Sequence, residues 1–154
     1  MTTKITGANV NTLSLGVVSG VVQTTLAAAL EKVTISATAA TGTINYDLST
    51  QSVLYYTSNA TGNWTLNIRG NSGTSLNSLM ATGQSMTLAF LATQGSTAYY
   101  NSAVTIDGSS VTPKWFGGSA PSAGNANGID VYTYTIIKTG SATFTALASL
   151  SRFA

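Results

Sequence analysis

NWTLNIRG, residues 63 to 70, decides the fold class. Trp64, Leu66 and Ile68 alternate with Thr65, Asn67 and Arg69. In an extended chain successive side chains leave on opposite sides, so the apolar three share one face and the polar three the other. On a helix the same residues would be scattered around the axis. The stretch therefore reads as a half-buried strand, and NATGN before it as a turn.

Working outward, the same period of two recurs from Val33 to the end of the chain. VTISATA (33–39), TINYD (43–47) and SVLYYTS (52–58) precede it. SMTLAFLAT (85–93), TAYYNSAVTID (97–107, one strand with a break that ends at the Asp107-Gly108 turn), SVTPKWF (110–116), IDVYTYTIIKT (129–139) and ATFTALASLSRFA (142–154) follow. Gly, Asn and Ser clusters separate them, as turns require. Pro113 has no amide donor, which places its strand at an edge or the proline at its end. The last two strands join at Thr139-Gly140. TSLNSLMATG is the one helical turn in this region, with Thr74 or Ser75 as cap, Leu76, Leu79 and Met80 inward, and Gly83 as its end. Parallel sheets need long crossovers, normally helices, and none is visible. The expectation is an all-β domain over residues 33–154, an antiparallel β-sandwich of jelly-roll-like topology.

Residues 1–32 read differently. Val18, Val22, Leu26 and Leu30 recur at four-residue steps, which suits one helical face. The valines Val17, Val18, Val21 and Val22 favour helix less than Ala27 to Ala29 do. The segment is a short helix or an extended arm, packed on the domain or serving attachment and oligomerisation. Val18, Val22, Leu26 and Leu30 are its candidate interface residues. Its start is a poor match to a signal peptide, and no run reaches the about 18 apolar residues of a membrane span. No membrane insertion is expected.

Composition narrows the function. Of 154 residues 44% are hydrophobic and only 6% charged, against roughly 25% charged in an average domain. Hydroxyls and amides take the place of ions, which suits a surface occupied by neighbours or a stable extracellular or particle-bound β-protein. The six cations, Lys4, Lys32, Arg69, Lys114, Lys138 and Arg152, are scattered. Nucleic-acid binding needs them clustered against phosphates, so it is not expected.

The chain has no histidine and no cysteine, which removes imidazole acid–base chemistry, thiolate nucleophiles and the usual zinc sites. The carboxylates are Glu31, Asp47, Asp107 and Asp130. Glycosidases hold two of them about 5 to 10 Å apart; here Asp107 sits at a turn before glycine and Asp130 at the start of a strand, roles that local hydrogen bonding explains. Neither a calcium loop nor a phosphate-cradling loop is present. No enzyme activity and no cofactor are expected. Asn59-Ala60-Thr61 and Asn63-Trp64-Thr65 match the glycosylation pattern only weakly in so Thr-rich a chain.

The aromatic residues carry more. In LYYT and AYYN adjacent tyrosines must face opposite ways, one toward the core and one outward. Trp64 suits the core. Trp115, Phe116, Gly117 and Gly118 open a long loop of small residues, GGSAPSAGNANG, and are the candidate surface-loop contacts: Trp115 pins that loop, or with Phe116 it stacks on a host surface glycan.

Three segments together, residues 40–100, IDGSSVTPKWFGG (106–118) and IDVYTYTIIKTGSATFTALAS (129–149), resemble a β-domain of virion structural proteins of marine tailed phages, especially cyanophages. PKWFGG and IDVYTYTIIK are the most specific parts, and the resemblance spans about residues 33–154. It implies a structural role on the particle, in capsid-associated or tail-fibre-like proteins, with host contact within reach and no catalytic motif to carry over. The first 32 residues lie outside it, and no fibre shaft is present. The expected function is a small capsid decoration or protrusion protein anchored by its N-terminal arm, with phage capsid or tail proteins as partners, self-association for which a trimer suits fibre geometry, and location in the virion. The rival is a tail-fibre or adhesion protein with a carbohydrate-binding β-domain.

Overall fold

Ala40, Leu48 and Ala60 lie in short connections that the sequence marks as turns, yet all three are buried. The apex of a hairpin faces water. A corner that carries the chain across from one sheet to another faces the core. The computed structural model, which describes residues 30–154, has corners of the second kind. Glu31–Ala154 form one compact unit; Val18, Val22 and Leu26 lie outside the described residues.

The strands alternate between two sheets. β1 (Val33–Ala39), β3 (Val53–Ser58) and β5 (Ser85–Thr93) enter a six-stranded sheet. β2 (Gly42–Asp47), β4 (Trp64–Arg69) and β6 (Asn101–Ile106) enter a four-stranded one. Within each sheet these strands pair in parallel: Val33 with Val53 and Val53 with Ala89, Ile44 with Leu66 and Leu66 with Val104. The crossover that a parallel pair needs is here a strand of the opposite sheet. Successive corners bond to each other as strands do: Thr61 N–H donates to Ala40 O (3.0 Å), Leu48 N–H to Arg69 O (3.0 Å) and Ser49 N–H to Gly70 O (3.0 Å). The first half of the domain is thus a coil wound through both sheets.

β7 (Ser109–Val111) folds back on β6, and β8 (Lys114–Trp115) lies along the other sheet's last strand. β9 (Ile129–Gly140) and β10 (Thr143–Phe153) form a long antiparallel hairpin, with β9 against β5. The all-β expectation therefore holds, as two mixed sheets. The antiparallel expectation does not: five of the eight strand pairings are parallel. The inference failed because it counted only helices as crossovers.

Three boundaries also shift. The stretch 97–100 is not strand; its backbone is held by the side chain of Gln94 (Tyr99 N–H to Gln94 Oε1, 2.9 Å). SVTPKWF splits at Thr112-Pro113, where the chain leaves one sheet for the edge of the other. The final turn falls at Ser141-Ala142, with Ala142 at φ +49° and its N–H on Asn77 Oδ1 (2.8 Å).

The two sheets share one core. Trp64 meets Phe90 and Tyr132 edge-to-face, at 5.8 and 5.5 Å. Tyr46, Tyr132 and Tyr134 are wholly buried. Tyr46 Oη donates across the gap to Ser52 O (2.6 Å) and Ala89 O (3.2 Å). Tyr134 Oη donates to Asn101 Oδ1 (3.0 Å), and Tyr132 Oη accepts from Asn101 N–H (3.2 Å). Asn101 Nδ2 in turn donates to Trp64 O (3.2 Å) and Ala103 O (2.8 Å). Of the adjacent tyrosines, Tyr56 and Tyr99 pack against this core. Burying one large apolar side chain contributes about 1.5–3 kcal/mol. The half-exposed pair Arg69–Asp47 (2.6 Å) contributes about 0–1 kcal/mol, so stability lies in the core.

The short helix α1 (Leu76–Leu79) is held from both sheets. Ser75 caps it, accepting from Ser78 N–H (3.0 Å). The Asp107 carboxylate accepts from Leu76 N–H (2.6 Å) and Asn77 N–H (2.9 Å). Lys138 Nζ donates to Asn77 O (2.5 Å) and Met80 O (2.8 Å) at the other end. Opposite charges at the two ends match the helix dipole. Leu76 and Met80 are buried as expected, but Leu79 is 45% exposed, and the helix ends at Met80 rather than Gly83. Among the described residues no helix is long and apolar enough to cross a membrane.

Candidate contact site around Trp115

Trp115 stands where the chain has just changed sheets. Its partner across β10 is Ala148, whose side chain faces the core, and Trp115 lies beside it at the sheet's edge. The indole packs edge-to-face on Tyr132 (6.4 Å) and Tyr134 (6.0 Å). It is half-buried and borders the core without entering it. The next residue points the other way: Phe116 is 88% exposed. A short 3-10 turn, Phe116–Gly118, follows, with Gly117 at φ +79° and Gly118 at φ +85°. That left-handed backbone suits glycine and little else. The four residues are therefore contiguous in space, yet they do different things: Trp115 anchors, the glycines bend the chain, and Phe116 is offered to solvent.

Open clefts lie around the indole. One, about 290 Å³, is bounded by Ser102, Ser110, Pro113, Trp115 and Pro121. Another, about 400 Å³, is bounded by Lys114, Trp115, Phe116, Thr133 and Leu147 on the outside of the six-stranded sheet. A third, about 260 Å³, lies between Trp115, Phe116, Ser122, Leu150 and Arg152. Hydroxyls, proline rings and one indole face can hold a neutral, partly apolar surface. They offer no acid–base pair. Among the described residues no three His, Cys, Asp or Glu side chains gather as a metal site needs.

The far half of the loop is stapled to the body. Asp130 Oδ2 accepts from Asn125 N–H (3.1 Å) and Gln94 Nε2 (3.0 Å), and Gln94 Nε2 also donates to Tyr99 O (2.7 Å). Gln94 N–H donates to Gly128 O (2.9 Å), Asn127 N–H to Gly95 O (2.9 Å), and Arg152 Nη2 to Ala123 O (2.8 Å). A Cβ on Gly124 would stand 2.2 Å from Tyr99 O, and one on Gly128 2.3 Å from Phe153 O. The loop's small residues let its backbone press against its own domain.

Asp130 has no exposed surface, and its Oδ1 has no partner among the described residues. Burial raises its carboxyl above the ordinary value; the bonds from Asn125 and Gln94 and the Arg152 charge oppose this and do not cancel it. Sequence reasoning set Asp130 aside as one of a glycosidase pair and read it as a strand opener, and it passed over Gln94. The signal was parity: Asp130 shares its side of β9 with Tyr132, Tyr134 and Ile136, all of them buried. Of the candidate arm residues only Leu30 is described, and it is fully exposed. No family model matches the chain, and comparison with curated proteins and with solved structures finds no match either.

Two outcomes follow from this geometry. Trp115→Ala is expected to lower unfolding free energy by about 2 kcal/mol, against about 3–5 kcal/mol for Trp64→Ala in the core. Equal losses in urea titrations would place both rings in one environment and contradict the border position. Asp130 binds its proton more tightly folded than unfolded, so its contribution is full in acid. It is lost as pH rises from about 4, the unfolded value, through the raised folded one. Asp130→Asn keeps an acceptor for both donors and is expected to flatten that decline in the denaturation midpoint. A wild-type midpoint that climbs with pH across the same window, and climbs less in Asp130→Asn, would contradict it.

Proposed function

We propose that the chain is a structural protein of a tailed-phage virion, a small decoration or protrusion protein on the capsid, acting by contact and without catalysis. In this reading the two facing sheets are a sandwich whose first half is coiled, in place of a jelly roll, and residues 1–32 attach it to capsid or tail proteins. The observation that carries it is the use made of the ionisable side chains. All four carboxylates hold structure: Glu31 accepts from Ser52 Oγ (3.2 Å), Asp47 pairs with Arg69, Asp107 holds α1 and Asp130 holds the loop. Acids engaged in this way support a scaffold. The resemblance of PKWFGG and IDVYTYTIIK to virion β-domains supplies the location, and the low charge suits a chain surrounded by neighbours.

A second reading has its own observation. Phe116, almost wholly exposed beside the half-buried Trp115 and clefts lined with hydroxyls, suits a tail-fibre or adhesion domain that stacks on neutral sugars of a host surface. In that case the clefts bind glycan and the particle contact is secondary.

The test is made on particles. Antibody against the chain is expected to label purified virions, and a chain lacking residues 2–30 is expected to fold but fail to incorporate. Normal incorporation of the truncated chain removes the arm from the account. Unlabelled particles remove the virion reading, and glycan-array binding that Phe116→Ala abolishes favours the second one.

A further inference from the structure

The two sheets present unlike outer faces. On the four-stranded sheet the outward side chains satisfy each other. Asn67 Nδ2 donates to Asn45 Oδ1 (2.8 Å), Thr105 Oγ1 donates to Asn67 Oδ1 (2.8 Å), and Arg69 pairs with Asp47 one step further on. This is a face made for water. On the six-stranded sheet, Leu54, Phe90 and Tyr132 are buried, so by alternation their neighbours point outward. Two registered rows result. Ile35, Tyr55, Leu91 and Val131 lie side by side across four strands, and Val33, Val53, Ala89 and Thr133 run next to them. Ile35 is 69% and Val33 46% exposed. No charged residue occupies an outward position on β1, β3, β5, β9 or β10; Lys114 stands at the far margin on β8.

We infer that this outer face is the contact surface of a second copy of the chain, packed sheet on sheet about a two-fold axis. The inference rests on the reading that the chain works by contact, and it names where. Strands buried on both faces read as near-continuous apolar runs, and VLYY and LAFLA are such runs, with Leu54, Phe90 and Ala92 buried on one side and Val53, Tyr55 and Leu91 left on the other. The size is right. Five strands at about 4.8 Å spacing, roughly 20 Å long on the β1 side and 36 Å on the β9–β10 side, offer about 650 Å² in projection. A stable interface needs about 800 Å² of accessible surface per partner, and side-chain relief raises the projected figure toward it.

Charge selects the occupant. A partner with an ordinary surface would set ions against a face that has nothing to pair them, and unpaired ions are costly to desolvate. A second copy brings a face equally free of charge. An isologous contact also closes, which leaves no further sheet face to extend. The unpaired outer edge of β1, which no described residue covers, then lies at the rim of the contact.

The test is sedimentation velocity of the full chain over a wide concentration range. The wild type is expected to associate in pairs. Leu91→Lys, at the centre of the face, and Thr133→Glu, half-buried at its polar side, are expected to weaken association roughly a hundredfold or more. Thr43→Lys, on the outside of the other sheet, is expected to leave it unchanged. Circular dichroism and thermal midpoints establish that each variant is folded; should Leu91→Lys unfold, Thr133→Glu carries the test. A wild type that stays monomeric, or folded face variants that associate as before, overturns the inference. Particle labelling by the monomeric variant is read separately: if it persists, the virion reading stands although the paired surface is lost.

Discussion

Tyrosine hydroxyls that cross from one sheet to the other set the frame on which the rest depends. Tyr46 reaches from the four-stranded sheet to two carbonyls of the six-stranded one. Tyr132 and Tyr134 reach back to Asn101. Burial raises all three hydroxyls above the ordinary tyrosine value, so they stay neutral and act only as donors and acceptors. A purely apolar core could slide by a residue along either sheet. These bonds have one satisfied arrangement, and an unmet buried hydroxyl or carbonyl costs about 1–3 kcal/mol. They fix the spacing of the sheets and hold Tyr132 and Tyr134 in place, and Trp115, at the edge of the same sheet, packs on both rings.

Strand positions were legible because they depend on local alternation, and NWTLNIRG, SMTLAFLAT and IDVYTYTIIKT became β4, β5 and β9 with ends shifted by a residue or so. Pairing was not legible by the same means, since alternation says which face a residue takes and nothing about its neighbour. A sign was available in the turns. Ala40, Leu48 and Ala60 are apolar residues in segments otherwise built of Thr, Ser, Asn and Gly, as corners of a coil require and hairpin tips do not. At the contact site, the sequence marked Trp115 to Gly118 as one unit. Trp115 and Phe116 part company because neighbours on a strand face opposite sides, the same rule that identified β4. Gln94 was invisible, because a buried amide that binds backbone at Tyr99 leaves no pattern along the chain.

The scarcity of charge takes on a physical meaning in this frame. Asp107, Lys138 and Asp130 hold backbone that lies outside the ladders, at both ends of α1 and under the loop, while Asp47 and Arg69 pair across neighbouring strands β2 and β4. Surface polarity is supplied by hydroxyls and amides that bond to one another, as along Asn45, Asn67 and Thr105. Such a surface forms few long-range electrostatic contacts and many short ones. On the proposed reading, such a surface suits a protein held among neighbours.

The most direct measurement is equilibrium unfolding of Asn101→Leu, which keeps the branched shape of the side chain and removes its polar atoms. The hydroxyl of Tyr134 and the carbonyl of Ala103 then lose their bonds to Asn101 inside the core, and Trp64 O keeps only the bond from Ser102 Oγ. The account predicts a loss of about 3 kcal/mol or more, with the fold retained. A change within about 0.5 kcal/mol, the range of an ordinary surface substitution, would mean that apolar packing alone positions the two sheets and would contradict it.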